Sequence, residues 1–314
     1  MSAYYTVDDI KGHSASIEKL RHLLYKISNA DLPVLIRGES GSGKELVAQS
    51  LHNLSNRRKE PFIAINCGAI PKDLLESELF GHIKGSFTGA YSDRTGKLKS
   101  AGKGSLFLDE IGEMPLILQV KLLRVIQEKV YSPLGSSKKE RLNARIICAT
   151  NKDLKKMIAN GSFREDLYYR INGVEVRVPP LRERKEDIIV LAEYFLEKYS
   201  KKSGKIKLKN LGNNLKKSLV NYSWPGNVRE LENLIEREVI FCGENDCEIN
   251  HIAQNIIEKD TIDLKLPVLN LEKLEDLAIR QAIASTDSIS EAATLLGISR
   301  ATMYRKMSKY GINS

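Results

Sequence analysis

No apolar run in the 314 residues approaches the roughly 20 needed for a helix to cross a bilayer. The first residues, MSAYYTVDDIKGH, have no basic patch followed by an apolar core and no small-residue cleavage site. A secretory leader is therefore not expected, and the cytoplasm is the expected location. Cysteine is scarce. Cys67, Cys148, Cys242 and Cys247 form no CxxC pair, and no histidine cluster offers zinc-ligand spacing. Buried or idle thiols in a reducing compartment are the expectation. Internal repeats and low-complexity blocks are missing too, which excludes a solenoid or a tail-like chain.

The chain carries charge and a regular alternation of patterns instead. Lysine and arginine number 49 against 40 acidic residues, a formal net charge of +9. The excess leans toward a polyanionic partner without identifying one. Much of it lies between Lys201 and Lys217, where a solvated face is the ordinary expectation and a nucleic-acid surface the rarer one.

The periodicity predicts an amphipathic helix over Ser16–Ile27, a short buried strand over Pro33–Arg37, a loop over Gly38–Lys44 and a helix over Glu45–Leu54. Strand-like runs recur at Phe62–Asn66, Ser105–Asp109 and Ala144–Thr150, with helical patterns such as Pro115–Val130 between them. Strands alternating with helices predict an α/β fold with a mainly parallel sheet covered on both faces. After Pro179 and Pro180 the pattern turns helical over Glu186–Ser200, Leu211–Tyr222 and Asn227–Phe241, as in a small helical lid. Residues 243–268 read as a polar linker, and a last helical unit runs from Leu271 to Tyr310.

Gly38-Glu39-Ser40-Gly41-Ser42-Gly43-Lys44 fits G-x-x-x-x-G-K between a strand and a helix. The glycines let backbone N–H groups curl around phosphate oxygens, and the helix N-terminus adds positive potential. Lys44 would reach the β- and γ-phosphates of ATP. Glu45 stands where a Ser or Thr usually follows, so the hydroxyl ligand for Mg²⁺ is missing. Leu106-Phe107-Leu108-Asp109-Glu110 is an apolar strand ending in two carboxylates. Asp109 would hold Mg²⁺, directly or through water, and Glu110 would polarise the attacking water. Ala149-Thr150-Asn151 closes a third strand, with Thr150 and Asn151 placed to sense the γ-phosphate. Alone, the first segment is also readable as a glycine-rich turn and the second as surface acids at a strand end. In this order and spacing they point to an ATP-hydrolysing P-loop.

With their neighbours, these residues resemble the AAA+ domain of the bacterial sigma-54-dependent transcriptional activators. The resemblance covers about Val7 to Phe241. The family's P-loop carries Glu after the lysine, so Glu45 is normal for it. The segment Glu76-Ser-Glu-Leu-Phe-Gly-His-Ile-Lys-Gly85-Ser86-Phe87-Thr88-Gly89-Ala90 is similar to the family's hallmark, which ends G-A-F-T-G-A; Ser86 replaces Ala. Trp224-Pro-Gly-Asn-Val-Arg229-Glu-Leu matches the lid signature. The resemblance implies that Gly85–Ala90 is a mobile loop gripping sigma-54 RNA polymerase through Phe87 and Thr88. The plainer reading is a hairpin turn with Phe87 packed inward. Further roles follow by position. Asn66 would hold Glu110 inactive until the partner loop engages. Arg164 and Arg170 would be arginine fingers reaching a neighbouring subunit's ATP, worth on the order of 10³–10⁵ in rate. Arg229 would be the lid's sensor arginine. Fingers supplied in trans imply a ring, and the family forms hexamers.

At the C-terminal end, Ser290 to Met307 reads as helix, tight turn, helix. Ala293 permits close crossing, Gly297 suits a turn with positive φ, and Ser299 suits an N-cap. Ile298, Met303 and Met307 lie on the buried side, leaving Arg300, Thr302, Arg305, Lys306 and Lys309 for solvent or DNA. The segment resembles the Fis-type helix-turn-helix of the same activators. Ser299, Arg300, Thr302, Arg305 and Lys306 are the candidate contacts to double-stranded enhancer DNA. Arg300 would read a guanine edge, worth about 1–3 kcal/mol, and Lys306 would meet phosphate. The helix Leu271–Ala284 would form a dimer seam.

The expected organisation is an AAA+ α/β core over 1–178, a lid over 179–242, the linker over 243–268 and an all-α DNA-binding domain over 269–314. The expected function is ATP-driven activation of sigma-54 RNA polymerase. Two rivals stay open: a DNA-bound AAA+ regulator acting without sigma-54, and a protein-remodelling ATPase whose last helices bind protein. The signature begins within the first residues, so no sensor domain is expected before it. A separate regulatory protein would then act on the chain, or the chain is part of a longer regulator.

Overall fold

The structure is a computed structural model that describes residues 5–205, 207–243, 246–249, 271–284, 286 and 288–312. Two compact units divide the chain, Met1–Ala253 and Gln254–Ser314.

The first unit is built on five parallel strands: β1 (Val34–Arg37), β2 (Phe62–Asn66), β3 (Ser105–Asp109), β4 (Arg145–Thr150) and β5 (Val174–Arg177). Their order is β2-β3-β4-β1-β5, and every neighbouring pair runs parallel. The middle strands are apolar on both faces because both faces are covered. Leu35, Leu106, Leu108, Ile146 and Cys148 point into one core with α3 (Lys72–Phe80), α5 (Leu116–Glu128) and α7 (Glu165–Ile171). Val34, Ile36, Phe107, Ile147 and Ala149 point the other way, against α1 (Ala15–Ile27) and α2 (Lys44–Leu54). A one-residue slip of β3 would exchange the two sets, and each fully buried Leu or Ile is worth about 1.5–3 kcal/mol over exposure, so the register is firmly set. Two short helices, α4 (Lys97–Ser100) and α6 (Leu154–Ala159), complete this layer.

The edge strand β5 was not expected from the sequence. It is four residues long, and Glu175 and Arg177 are exposed on it. Those charges blunt an open sheet edge, and they also hide the strand from a search for apolar runs. Between α3 and α4 the chain makes an excursion whose stem is an antiparallel pair, Gly81–His82 with Arg94–Thr95. A second ribbon pairs Val130–Tyr131 with Glu140–Arg141, and His82 bridges to Leu134 beside it.

The lid consists of α8 (Glu186–Lys202), α9 (Asn213–Asn221) and α10 (Asn227–Phe241). Trp224 is fully buried here, its ring edge-on to Tyr222 at 5.0 Å. Its indole N–H donates to the Leu219 carbonyl at 2.8 Å. The lysine-rich run is largely paired inside the lid. Lys201 meets Glu197, Lys202 meets Glu236 and Lys216 meets Glu193. Lys205 donates to the carbonyls of Val239, Ile240 and Cys242, capping the C-terminal end of α10.

The linker expected over 243–268 starts too early. Glu248–Ile249 pairs in parallel with Asn210–Leu211 of the lid, and Ile249 and Leu211 are both buried. Two apolar residues on a mostly polar stretch gave no readable period. Residues 250–268 of that stretch lie outside the described residues.

The second unit contains α11 (Leu271–Ala284), α12 (Ile289–Leu295) and α13 (Arg300–Lys309). Ile279, Ala282, Ala292, Ala293, Met303 and Met307 form its core, with Ile298 packed at its edge. Gly297 has φ +66, the left-handed turn expected of it. Ser299 caps α13 by accepting from the Thr302 N–H at 3.2 Å. Among the described residues no helix is long and apolar enough to cross a membrane.

Candidate functional site

The glycine-rich loop leaves the carboxyl end of β1. Gly38 N–H donates to the Thr150 carbonyl of β4 at 3.3 Å, and α2 starts at Lys44. Gly41 (φ +73) and Gly43 (φ +105) take left-handed backbone angles that a side chain would strain. They turn the loop around a cleft of about 450 Å³. Lys44 is only 7% exposed. Its ammonium donates to the carbonyls of Gly38 and Glu39 at 3.1 and 3.2 Å and lies 3.5 Å from Glu110.

Asp109 and Glu110 close the cleft from the end of β3. Burial, and then the charge of Glu110, pushes the Asp109 carboxyl above its ordinary range. Glu110 has φ 50, which turns its carboxylate toward Lys44 and toward the Asn151 N–H, 3.3 Å away. A desolvated carboxylate beside a second one gains from a cation, so the pair fits Mg²⁺, which Asp109 would hold. Among the described residues no cluster of three or more His, Cys, Asp or Glu side chains could hold a metal by itself, so phosphate oxygens would complete the shell. Glu45 borders the cleft and accepts from Gln49 at 3.2 Å.

Four of the expected site residues make contacts other than those their expected roles call for. Asn66 does not touch Glu110. Its register partner is Asp109, and its amide donates to that carboxylate at 3.2 Å, because the left-handed turn at Glu110 carries the glutamate to the other side. Glu39 does not border the cleft. Arg182 of the lid's entry grips both its oxygens at 2.7 and 2.5 Å, and Asn227 adds 3.1 Å. The Arg182 guanidinium holds this carboxyl down at about 2. Thr150 is 1% exposed, its hydroxyl accepting from Lys152 N–H at 3.0 Å. Asn151 is exposed and contributes its backbone N–H to Glu110, and neither residue borders the cleft.

Ser40, Gly41, Ser42 and Gly43 do border it, as does Arg229 from the lid. Arg229 N–H donates to the Gly41 carbonyl at 3.3 Å, and its guanidinium is 3.5 Å from the Ser40 hydroxyl. One wall was missed by sequence reasoning. Ile10, Val178, Leu191 and Phe195 offer an apolar surface suited to a flat ring. Its parts come from the N-terminal segment, the end of β5 and the lid, and no local pattern joins them.

Arg164 and Arg170 lie at α7, outside their own chain's cleft. Arg164 makes a two-pronged pair with Asp166, at 3.0 and 2.6 Å. None of the four cysteines is in a disulfide. Burial next to Asp109 and Glu110 pushes Cys67 up to about 12, so it stays protonated and inert.

At the tip of the excursion, Gly85 (φ +82) and Gly89 (φ +103) frame a tight turn closed by Gly85 N–H to the Ala90 carbonyl at 2.9 Å. Phe87 is 41% exposed and its ring meets His82 edge-on at 5.0 Å. It is neither packed inward nor wholly free. Thr88 is exposed, and Ala90 is buried. The Ser86 hydroxyl is buried without a partner, against Gly135, where a Cβ would approach Ser86 Cβ to 2.6 Å.

On α13, Arg300 and Arg305 are exposed, and the Arg300 guanidinium lies 5.8 Å over the Tyr304 ring. Ser299 is engaged as the cap, 2.8 Å from the Thr302 hydroxyl. Lys306 is not free for phosphate as expected: it is ion-paired with Glu275 of α11. Glu275 also accepts from the Tyr310 hydroxyl at 2.6 Å. An acid two helices earlier in the chain gave no sign of facing it.

Residues 10–177 match the family model of the sigma-54 interaction domain, 182–265 that of the AAA+ ATPase lid domain, and 270–310 that of bacterial regulatory proteins of the Fis family. The "Signal-transduction and transcriptional-control protein" of Clostridium beijerinckii is 49% identical over 315 residues, covering 99% of this chain and 50% of that protein. The alginate biosynthesis transcriptional regulatory protein AlgB of Pseudomonas aeruginosa is 42% identical, covering 97% of this chain and 68% of its own. Among solved structures, NtrX from Brucella abortus in complex with ATP has a TM-score of 0.74 at 31% identity, over 96% of this chain and 69% of that one. The chain thus spans half the length of its Clostridium relative. With a sigma-54 interaction domain that alone fills more than half its length, followed by the lid and the Fis-type helices, this chain belongs to the sigma-54-dependent transcriptional activators.

Proposed function

We propose that the chain, acting in the cytoplasm, binds upstream enhancer DNA and uses ATP hydrolysis to remodel the sigma-54 RNA polymerase closed complex into an open one. The observation that carries this reading is a short path from the cleft to the excursion. Asn66 donates to Asp109, and its side-chain oxygen accepts from Gly68 and Ala69 N–H at 2.9 and 3.0 Å. Those residues lead into α3, and α3 ends at Gly81, where the stem of the Gly85–Ala90 loop begins. A change of charge at Asp109 is thereby felt at the loop's base.

In this reading Lys44 and the loop's N–H groups hold the phosphates, and Arg229 reports them to the lid. Asp109 would hold Mg²⁺, which would neutralise charge building on the phosphates. Glu110 orients the attacking water. Arg164 and Arg170, outside their own cleft, reach the nucleotide of a neighbouring copy in a hexameric ring. Arg164 must first leave Asp166. Arg300, Thr302 and Arg305 face the enhancer, dimerised through α11, with Lys306 following if DNA displaces Glu275.

Thr88→Ala is expected to keep ATP turnover and to lose open-complex formation at a sigma-54 promoter, read by permanganate footprinting. Promoter opening by the variant, or equal activation by wild type without sigma-54, would remove the assignment.

A further inference from the structure

A phosphate-binding loop works by aiming N–H groups inward, so its outward-facing groups need partners of their own. Here the lid supplies them. Asn227 is fully buried and sits at φ 53, a left-handed angle that asparagine tolerates better than most residues. Its amide donates to the Glu39 carboxylate and to the Ser40 carbonyl, both at 3.1 Å. Its own oxygen accepts the Leu181 N–H at 2.8 Å. Arg182, next to Leu181, grips both oxygens of Glu39. The backbones also touch, since a Cβ on Gly41 would come within 2.3 Å of the Gly226 carbonyl.

The chemistry of this arrangement is specific. Glu39 puts a carboxylate on the loop that must attract phosphate, and a carboxylate left unpaired there would repel it. Arg182 and Asn227 absorb that charge only while the lid lies against the loop. The carboxamide of Asn227 serves two acceptors on the loop and one donor on the lid's entry. Aspartate has the same shape but no donor.

We propose that Asn227, together with Arg182, is a positioning residue for ATP that acts through Glu39, so that nucleotide affinity and lid closure are one coupled equilibrium. The proposal rests on the reading of Lys44 and its loop as the ATP site. By linkage, a lid held away weakens nucleotide binding, and bound nucleotide draws the lid in by the same factor.

The test uses the 314-residue chain, with equilibrium ATP binding, steady-state ATPase kinetics and thermal melts. Asn227→Asp sets a second carboxylate against Glu39 and is expected to raise Kd and KM for ATP by about tenfold or more, with kcat changed less than about threefold. Adding Glu39→Gln should recover part of that loss, because it removes the repulsion; a merely structural asparagine would give no such rescue. Asn227→Gly, which keeps the backbone angle at no steric cost, should raise KM by less than the aspartate does, and it carries the test if the aspartate variant fails to fold. Unchanged Kd and KM with only a lower melting temperature would overturn the proposal, as would the absence of rescue. Lys44→Ala, run alongside, should lose ATP binding; if it does not, the ATP site itself is misplaced and the proposal falls with it for that separate reason.

Discussion

Ionising Asp109 costs more in the folded protein than in the unfolded chain. Burial and the neighbouring Glu110 raise its carboxyl above the ordinary 3.8, so the folded state binds the proton more readily than the unfolded chain. A group raised in this way favours folding below its unfolded value, and that contribution is lost as pH rises through the folded value. Near neutrality, then, Asp109→Asn is expected to melt at a higher temperature than wild type while losing ATPase activity. The gain should shrink as the pH falls through the acid range and vanish below the ordinary carboxylate value, which paired thermal melts across pH will show. Lys44, Asp109, Glu110 and Ser299 were legible in the sequence because local spacing alone fixes where they stand. Glu39 and Asn66 were legible as positions but not as contacts. Glu39 is aimed by Arg182, far along the chain, and Asn66 by the register of β2 on β3.

Among the elements, α13 shows most directly how a local rule bears on the proposed function. Its first turn carries Arg300 and Thr302, and the cap at Ser299 holds that turn closed. Ser299→Ala is expected to cost about 1 kcal/mol in the stability of the helix. Enhancer binding, measured by gel shift, should weaken as the turn frays, while ATP turnover without DNA stays at the wild-type rate. Strands β1, β3 and β4 could be read from the sequence because burial on both faces makes them continuous apolar runs. The edge strand β5 and the two-residue pairing of Leu211 with Ile249 could not, since each is short and leans on a partner that sequence proximity does not reveal.

Across the first unit, the lid and the core are tied at more than the phosphate loop. Asp187 of α8 is fully buried and accepts from His13 N–H at 2.6 Å, Ser14 N–H at 2.8 Å and the Ser14 hydroxyl at 2.5 Å. His13 and Asp187 are 174 residues apart, and nothing in either segment announces the other. Asp187→Ala would strand three donors and is expected to destabilise this unit by about 3 kcal/mol or more, read as a lower urea midpoint. The parallel architecture, by contrast, was legible from the alternation of strands and helices, because covering both faces of a sheet leaves few other solutions. Finally, the chain has one tryptophan, and Trp224 stands three residues before Asn227, buried against Tyr222. Indole emission from this protein therefore originates wholly in the lid, and a spectrofluorimeter can follow its response to nucleotide in real time with no dye attached.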